Sequence, residues 1–498
     1  MAAAPAVTEL KGHPPDDSGL PGPWQLLAAP GTLRFDVPAS QSAQGDVALR
    51  VRALPAGTSI ALVSSGLGAR RRCRRLAREA GVELLREFIA VPSVDPPTCY
   101  VEESRATLRY FFTQLLALPR GGAAKSAGLA AINRIARVFV PAGLVGSAAP
   151  VRIVLGRIPN RGVASSLFDL RGMQMLVVAL SKDPNAKVTV LLIPIGSERP
   201  SLAIKIPTTA AAGATIAAER TILLDLHTRL PSYVLASVPA LRELSEVRGH
   251  SWLVTTALPG VPMTTRYHAW RHVSNPAAVD ADFRAVETWL AMFQSASAGP
   301  RSPLDMDGGT KERLRRRFAG DPLLDERLAR LSDIHSRLRS TTTPRTAVHG
   351  DFWFGNVLIA GKQISGVIDW EGGAASGEPV RDLVRFALSY ALYLDRHTRP
   401  GHRVARHRGL RAGEWGAGIT WSFEGEGWYP DLVRGFIRRG LARLGADPGV
   451  WREAMLAGLA EVAATADHLD FAAMHWELFD RLALRAVTSS AAGQPSPR

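Results

Sequence analysis

The stretch TAVHGDFWFGNVLIAGKQISGVIDWEGG (Thr346–Gly373) sets Asp351, Asn356 and Asp369 into an otherwise apolar, strand-like run. Burying even an uncompensated neutral polar group among Phe, Trp, Val and Ile costs on the order of 2 to 7 kcal/mol, so these side chains must bind or pair with something. Two apolar strands flank Ala360 to Gln363, which contains Gly361 and reads as a tight hairpin turn. An antiparallel hairpin brings the start of its first strand beside the end of its second, so Asn356 and Asp369 are expected at one edge. Asp351, in a loop opened by His349 and Gly350, is expected to overlook that edge.

One carboxylate and one amide oxygen converging in a pocket are hard oxygen ligands, suited to a magnesium ion that also grips phosphates. The remaining carboxylate is then placed to accept a proton. That division of labour is what phosphoryl transfer requires.

A cation for the phosphates is expected upstream. In LAIKIP (Leu202–Pro207), strand alternation puts Ile204 and Ile206 on one face and Ala203 and Lys205 on the other. Lys205 would point into a cleft, with the small Ala203 admitting a flat adenine beside it, and Glu219 on the following helix is its natural partner. An edge-strand lysine reaching water is the plain alternative.

Length and composition set the frame. At roughly 100 to 200 residues per domain, 498 residues suggest two to four domains. A chain 46% hydrophobic and 21% charged is an ordinary globular one, and its apolar runs stop short of the roughly 18 residues of a membrane helix, so no membrane span is expected. The N-terminus lacks a basic region followed by an apolar core, and residues 1–20 read as a disordered tail. Cys73 and Cys99 supply neither a disulfide framework nor a CxxC pair, which fits a reducing cytoplasm.

The net charge of +15 rests on 53 arginines against seven lysines, the look of a coding bias. ARRRCRRLAR (Ala69–Arg78) and KERLRRRF (Lys311–Phe318) read either as solvated helix faces or as phosphate-binding patches. No zinc-finger or RNA-binding aromatic signature accompanies them, so nucleic acid is not an expected partner.

Residues 21–150 read as an α/β appendage of degenerate Rossmann type. A strand at Ser59–Gly66, a helix at Ala69–Gly81 and a strand at Val82–Ser93 follow in β-α-β order. Gly66 and Gly68 open the turn, but Arg71 stands at the third glycine position of a dinucleotide loop. The appendage loosely resembles the later half of a class I methyltransferase; it lacks that family's glycine-rich first loop, and no methyl transfer is expected. Residues 151–262 read as β-rich, with strands at MQMLVVAL and VTVLLIPI separated by the turn SKDPNAK, and residues 263–498 as mainly helical.

HGDxxxxN (His349–Asn356) followed by IDWE (Ile368–Glu371) resembles the aminoglycoside phosphotransferase and choline kinase-like family, distant relatives of protein kinases. The resemblance covers roughly residues 155–490. It implies an α+β, two-lobed protein kinase-like fold, with a β-rich N-lobe at 151–262 and a helical C-lobe at 263–498, the appendage lying outside it.

It further implies Asp351 as catalytic base, Asn356 and Asp369 as Mg2+ ligands, Lys205 as the phosphate-binding lysine and Glu219 as its helix partner. The backbone near Ala257 would bind adenine, beside Ala203. Asp382 and His349 would support the catalytic loop. The implied cofactors are ATP and Mg2+, and the implied activity is transfer of the γ-phosphate to a hydroxyl of a small molecule. No GxGxxG loop covers the phosphates: the first strand turn is SKDPNAK.

The acceptor leaves a fainter trace. Between Glu453 and Asp480 the chain carries Glu453, Glu461, Asp467, Asp470, Glu477 and Asp480 with no Lys or Arg. Asp467, Asp470, Glu477 and Asp480 fall on one broad helix side that could face a cationic amino sugar, aminoglycoside or choline-like alcohol, or form a solvated face. His468 and His475 read as packing or surface residues. The rival reading is a catalytically weak, nucleotide-binding regulatory module with a partner-binding N-terminal domain. The sequence does not disclose the oligomeric state.

Overall fold

The structure, a computed structural model, describes residues 31–91, 99–115, 149, 151–159, 172–178, 187–247, 250–269 and 271–492. The N-terminal tail and most of SKDPNAK lie outside the described residues. The chain divides into two units, the first comprising residues 1–116, 132–216 and 241–257, the second 117–131, 217–240 and 258–498.

The first unit is organised by one ten-stranded sheet. Its strands are β1 (Leu33–Asp36), β2 (Ser59–Ser65), β3 (Glu83–Val91), β4 (Cys99–Glu102), β5 (Val151–Arg157), β6 (Met173–Val178), β7 (Lys187–Pro194), β8 (Leu202–Pro207), β9 (Leu241–Val247) and β10 (His250–Thr256). In space they run β1-β2-β5-β3-β4-β6-β7-β8-β10-β9. Helices α1 (Gln41–Arg52) and α2 (Ala69–Ala80) cover β2 with an apolar layer that includes Val51, Ile60, Leu62, Cys73 and Leu76.

The β-α-β order at 59–91 is present, but β2 and β3 are not neighbours. Strand β5 lies between them, antiparallel to both, with Leu62 opposite Val154 and Phe88 opposite Ile153. A strand that the sequence pattern groups with the β-rich lobe from residue 151 thus pairs within the appendage. The sheet continues from β4 through β6 into the strands that follow.

Two arginines of α2 pair with carboxylates of the sheet and the turn after β4. Arg70 lies 2.7 Å from Glu103 and Arg74 2.6 Å from Glu87. Beneath them the fully buried Arg152 bonds to Glu87 at 3.0 Å and also to Glu103. The turn that suggested a dinucleotide loop is filled by its own helix: Arg72 donates to the carbonyls of Leu67 and Ser65, each at 2.6 Å. Cys73 and Cys99 are free and buried, and burial pushes both thiols up to about 12, which makes them inert packing residues.

The second unit is mainly helical. Its principal helices are α3 (Ala210–Arg229, belonging here from Ala217), α4 (Pro276–Ala296), α5 (Leu324–Leu338), α6 (Val380–Leu392), α7 (Trp428–Arg443), α8 (Trp451–Thr465) and α9 (Leu469–Ala492). Asn275 caps α4 through its side chain, bonded to the Ala277 amide at 3.2 Å, and Pro276 takes the first helical position. Aromatic side chains fill the space between α4, α6 and the segment 349–370: Phe283, Phe352, Phe386 and Tyr390 are all fully buried. Among the described residues no helix is long and apolar enough to cross a membrane.

Candidate active site

The predicted hairpin forms. Strands β11 (Val261–Pro262), β12 (Arg301–Pro303), β13 (Thr342–Pro344), β14 (Thr346–Val348), β15 (Val357–Ala360), β16 (Gln363–Val367) and β17 (Ala374–Gly377) make up three small sheets. β15 pairs antiparallel with β16, Val357 opposite Val367 and Ala360 opposite Gln363. The two-residue turn between them has Gly361 at φ 63°, the left-handed region that glycine enters without steric cost. At the open end the Ile368 amide donates to the Asn356 carbonyl at 2.9 Å. Asp369 is therefore the residue immediately after the hairpin partner of Asn356.

Asp369 itself has φ 64° and ψ 62°. A non-glycine residue held there is uncommon and clusters at functional sites. Its neighbour Trp370 is fully buried, donating its indole N–H to Val367 O at 2.8 Å and its amide to Glu219 Oε1 at 3.3 Å. Glu219, only 1% exposed on α3, thus holds the backbone next to the candidate metal ligand.

The loop that carries Asp351 is held from both sides. β14 pairs with β17, Val348 opposite Ala374, which brings the loop against the segment after Asp369. His349 is fully buried, its Nε2 lies 2.8 Å from the Ile368 carbonyl, and its amide donates to Asp382 at 2.8 Å. Gly350 donates to the other Asp382 oxygen at 3.0 Å. Gly350 also has φ 79° and lies so close to Gly372 that a Cβ would run into the Gly372 carbonyl.

Inside HGDFWFGN, Phe352 and Phe354 point into the core, Phe352 stacked on Trp289 and Phe354 on Tyr267. Buried aromatics on either side of Trp353 anchor the loop, and Asp351 stays 37% exposed.

Asp382 is buried on α6, and burial is the largest influence on its carboxyl, raising it above the usual range against the pull of His349 and the two amides. Asn356 Nδ2 donates to Asp351 O at 3.0 Å and lies 3.3 Å from Asp351 Oδ2. The sequence reading missed Arg385. Its Nε and second guanidinium nitrogen lie 2.9 and 2.7 Å from Asp351 Oδ1. Its position three residues after Asp382 on one helix is the signal that could have found it.

In the first unit, Lys205 lies on β8, an interior strand between β7 and β10, opposite Thr189 and Leu253. It is 8% exposed, so it is not an edge lysine reaching water. Ala203 stands opposite Leu191 and Thr255. The Ala257 amide donates to Ser201 O at 3.0 Å and so is already used within the sheet.

Three of the six acids near the C-terminus pair with arginines. Asp480 pairs with Arg330 at 2.7 Å and Arg327 at 3.2 Å, Glu461 with Arg381 at 2.7 Å, and Glu453 with Arg337 at 3.1 Å. Asp467, Asp470 and Glu477 remain exposed. His475 is buried against Phe471 and Trp415, a packing residue as expected.

A β-rich unit and a helical unit with this loop and hairpin define an α+β, kinase-like fold. Residues 194–419 match the model of the phosphotransferase enzyme family, APH, the family that the motifs at 349–371 resemble. The matched span begins in β7 and leaves β1–β6 outside.

Among solved structures, the chain is similar to a thermostable mutant of aminoglycoside phosphotransferase APH(4)-Ia in a ternary complex with AMP-PNP and hygromycin B. Identity there is 13% and the TM-score 0.41, with 66% of this chain and 97% of that one covered. ADP-bound APH(2'')-Ib is 16% identical with a TM-score of 0.36, covering 62% of this chain and 92% of that one. Macrolide 2'-phosphotransferase MphH from Brachybacterium faecium is 16% identical with a TM-score of 0.35, covering 65% and 92%. No curated protein matches the chain in sequence.

Proposed function

We propose that this chain transfers the γ-phosphate of Mg-ATP to a hydroxyl group of a small molecule, of amino sugar, aminoglycoside or choline-like type. The observation that supports the reading is a loop braced by Asp382 that presents Asp351 3.3 Å from Asn356 Nδ2, with Asp369 one residue past the hairpin partner of Asn356. The family match over residues 194–419 supports it.

The residues suit magnesium. Asn356 turns its amide nitrogen toward Asp351, which leaves its oxygen for a ligand, and Asp369 is held in a left-handed conformation beside it. Among the described residues no cluster of three or more His, Cys, Asp or Glu could hold a metal unaided. Magnesium keeps several waters and substrate phosphates and takes only one or two protein groups, the number that Asn356 and Asp369 would supply. When bound, Mg2+ would neutralise charge on the phosphates.

Asp351 orients the acceptor hydroxyl and takes its proton late in the transfer. Asp382 and His349 keep the Asp351 backbone in place. Lys205, an ammonium inside an apolar strand, binds the nucleotide phosphates, as the resemblance implies. Glu219 fixes the Trp370 amide and with it the Asp369 backbone. The regulatory-module reading is weakened by the complete set Lys205, Asp351, Asn356 and Asp369.

The test is transfer from radiolabelled Mg-ATP across a panel of aminoglycosides, macrolides and amino alcohols. Phosphorylation of a panel member is expected, lost in Asp351→Ala while nucleotide affinity stays within a few-fold. Unchanged turnover in Asp351→Ala removes the base assignment. Tight ATP binding without transfer or hydrolysis favours the regulatory module.

A further inference from the structure

We propose that Arg385 is a positioning residue that selects which oxygen of Asp351 receives the acceptor's proton. The inference rests on the reading of Asp351 as the base.

The loop backbone is fixed, but the Asp351 side chain is 37% exposed and would otherwise rotate about its two side-chain torsions. Arg385 removes that freedom. Two of its nitrogens converge on the same oxygen, Oδ1, at 2.9 and 2.7 Å. Charge-assisted bonds of this kind are short and roughly twice as strong as neutral ones.

With Oδ1 occupied twice, the proton-accepting capacity falls to Oδ2. That oxygen has a single, longer contact, Asn356 Nδ2 at 3.3 Å. Oδ2 therefore faces the candidate metal ligand, the side on which an attacking hydroxyl must meet the phosphate. The proton passes from the hydroxyl to Oδ2 as the new O–P bond forms and the bond to ADP breaks.

One helix supplies both constraints. Asp382 and Arg385 lie three residues apart on α6, so they share a face. Asp382 holds the loop's amides and Arg385 holds the carboxylate the loop presents. The rigidity of a single helical turn thus transmits to the reacting group, and a misplacement of about 1 Å at such a group can cost on the order of a hundredfold in rate.

The test compares wild type, Arg385→Ala, Arg385→Lys and Asp351→Asn by crystal structure and by turnover of Mg-ATP, with water and the aminoglycoside panel as acceptors. In Arg385→Ala the Asp351 carboxylate is expected in another rotamer. Its kcat should fall on the order of a hundredfold with KM for ATP unchanged. Added guanidinium ion should restore part of that kcat, and Arg385→Lys should recover less, since one ammonium cannot place two donors on Oδ1.

An unmoved Asp351 in Arg385→Ala, or wild-type kcat in that variant, overturns the proposal while leaving the base assignment intact. Undiminished turnover in Asp351→Asn overturns the base assignment itself. A kcat loss that guanidinium does not restore, with Asp351 unmoved, assigns Arg385 to the fold instead.

Discussion

The buried carboxylate of Asp382 accepts the amide of His349 at 2.8 Å and thereby ties α6 to the loop that presents Asp351. Its second oxygen takes the Gly350 amide at 3.0 Å. Removing the carboxylate strands two buried N–H groups, each costing about 1–3 kcal/mol. Asp382→Ala is expected to lower stability in urea titration by a few kcal/mol and to reduce kcat in the same protein. Asp382→Asn keeps one acceptor and should fall between the two. A variant as stable as wild type would show that other groups hold the loop.

Gly350 is the tightest point between the Asp351 loop and the loop after Asp369. Its φ of 79° disfavours any side chain, and a Cβ would collide with the Gly372 carbonyl, which is backbone and cannot swing aside. Gly350→Ala should therefore cost more than the roughly 1 kcal/mol of a left-handed penalty alone, read as a depressed Tm. Gly361→Ala is the control: it shares the positive φ, at 63°, but has open space around it. It should lose only the conformational part, and equal losses at both sites would refute the close-approach argument.

The hairpin and its turn at Gly361 could be read from the chain because both depend on residues close in sequence, whereas Asp382, 33 residues from His349, was legible only through the family resemblance. Strand period and a two-residue turn are local patterns. What could not be read depends on partners far away. β5 enters between β2 and β3 only because a strand beginning at Val151 returns to them, and nothing in VRIVLGR names its neighbours. The acidic row looked free because its own segment lacks arginine, yet Arg327, Arg330, Arg337 and Arg381 reach it from other helices. Arg385 was hidden in a chain where arginine is the commonplace cation.

Those distant partners make the paired acids of the row stability elements. Asp480 is 7% exposed and serves two guanidinium groups. Hydrogen bonds to charged groups contribute roughly 1.5–3 kcal/mol, so Asp480→Asn should lower the unfolding free energy by about that amount. Asp470→Asn, at an exposed position, should change it by less than about 0.5 kcal/mol. Acceptor KM should be unchanged in Asp480→Asn. A selective rise in KM for cationic acceptors, with stability intact, would return the row to substrate binding.

Acid should weaken the helical unit through histidines that are buried neutral. His407 is 1% exposed, its Nε2 lies 2.8 Å from Val273 O, and its ring packs on Trp421, Trp428 and Tyr429. Burial holds its pKa down to about 4, against the smaller opposing influence of the Val273 carbonyl. His268, 3.0 Å from the His397 ring, and His475 are likewise held at about 4, burial again the leading cause.

A ring whose folded pKa lies below its unfolded value of about 6.5 contributes stability that is complete above that value. The contribution is lost as pH falls toward 4. By pH 5 each ring should cost on the order of 2 kcal/mol, so urea titrations at pH 7.5 and pH 5 should differ by several kcal/mol. His407→Gln retains a donor for Val273 and cannot ionise, so it should show a smaller drop over the same interval. An identical drop in wild type and His407→Gln would mean that His407 does not carry the acid sensitivity.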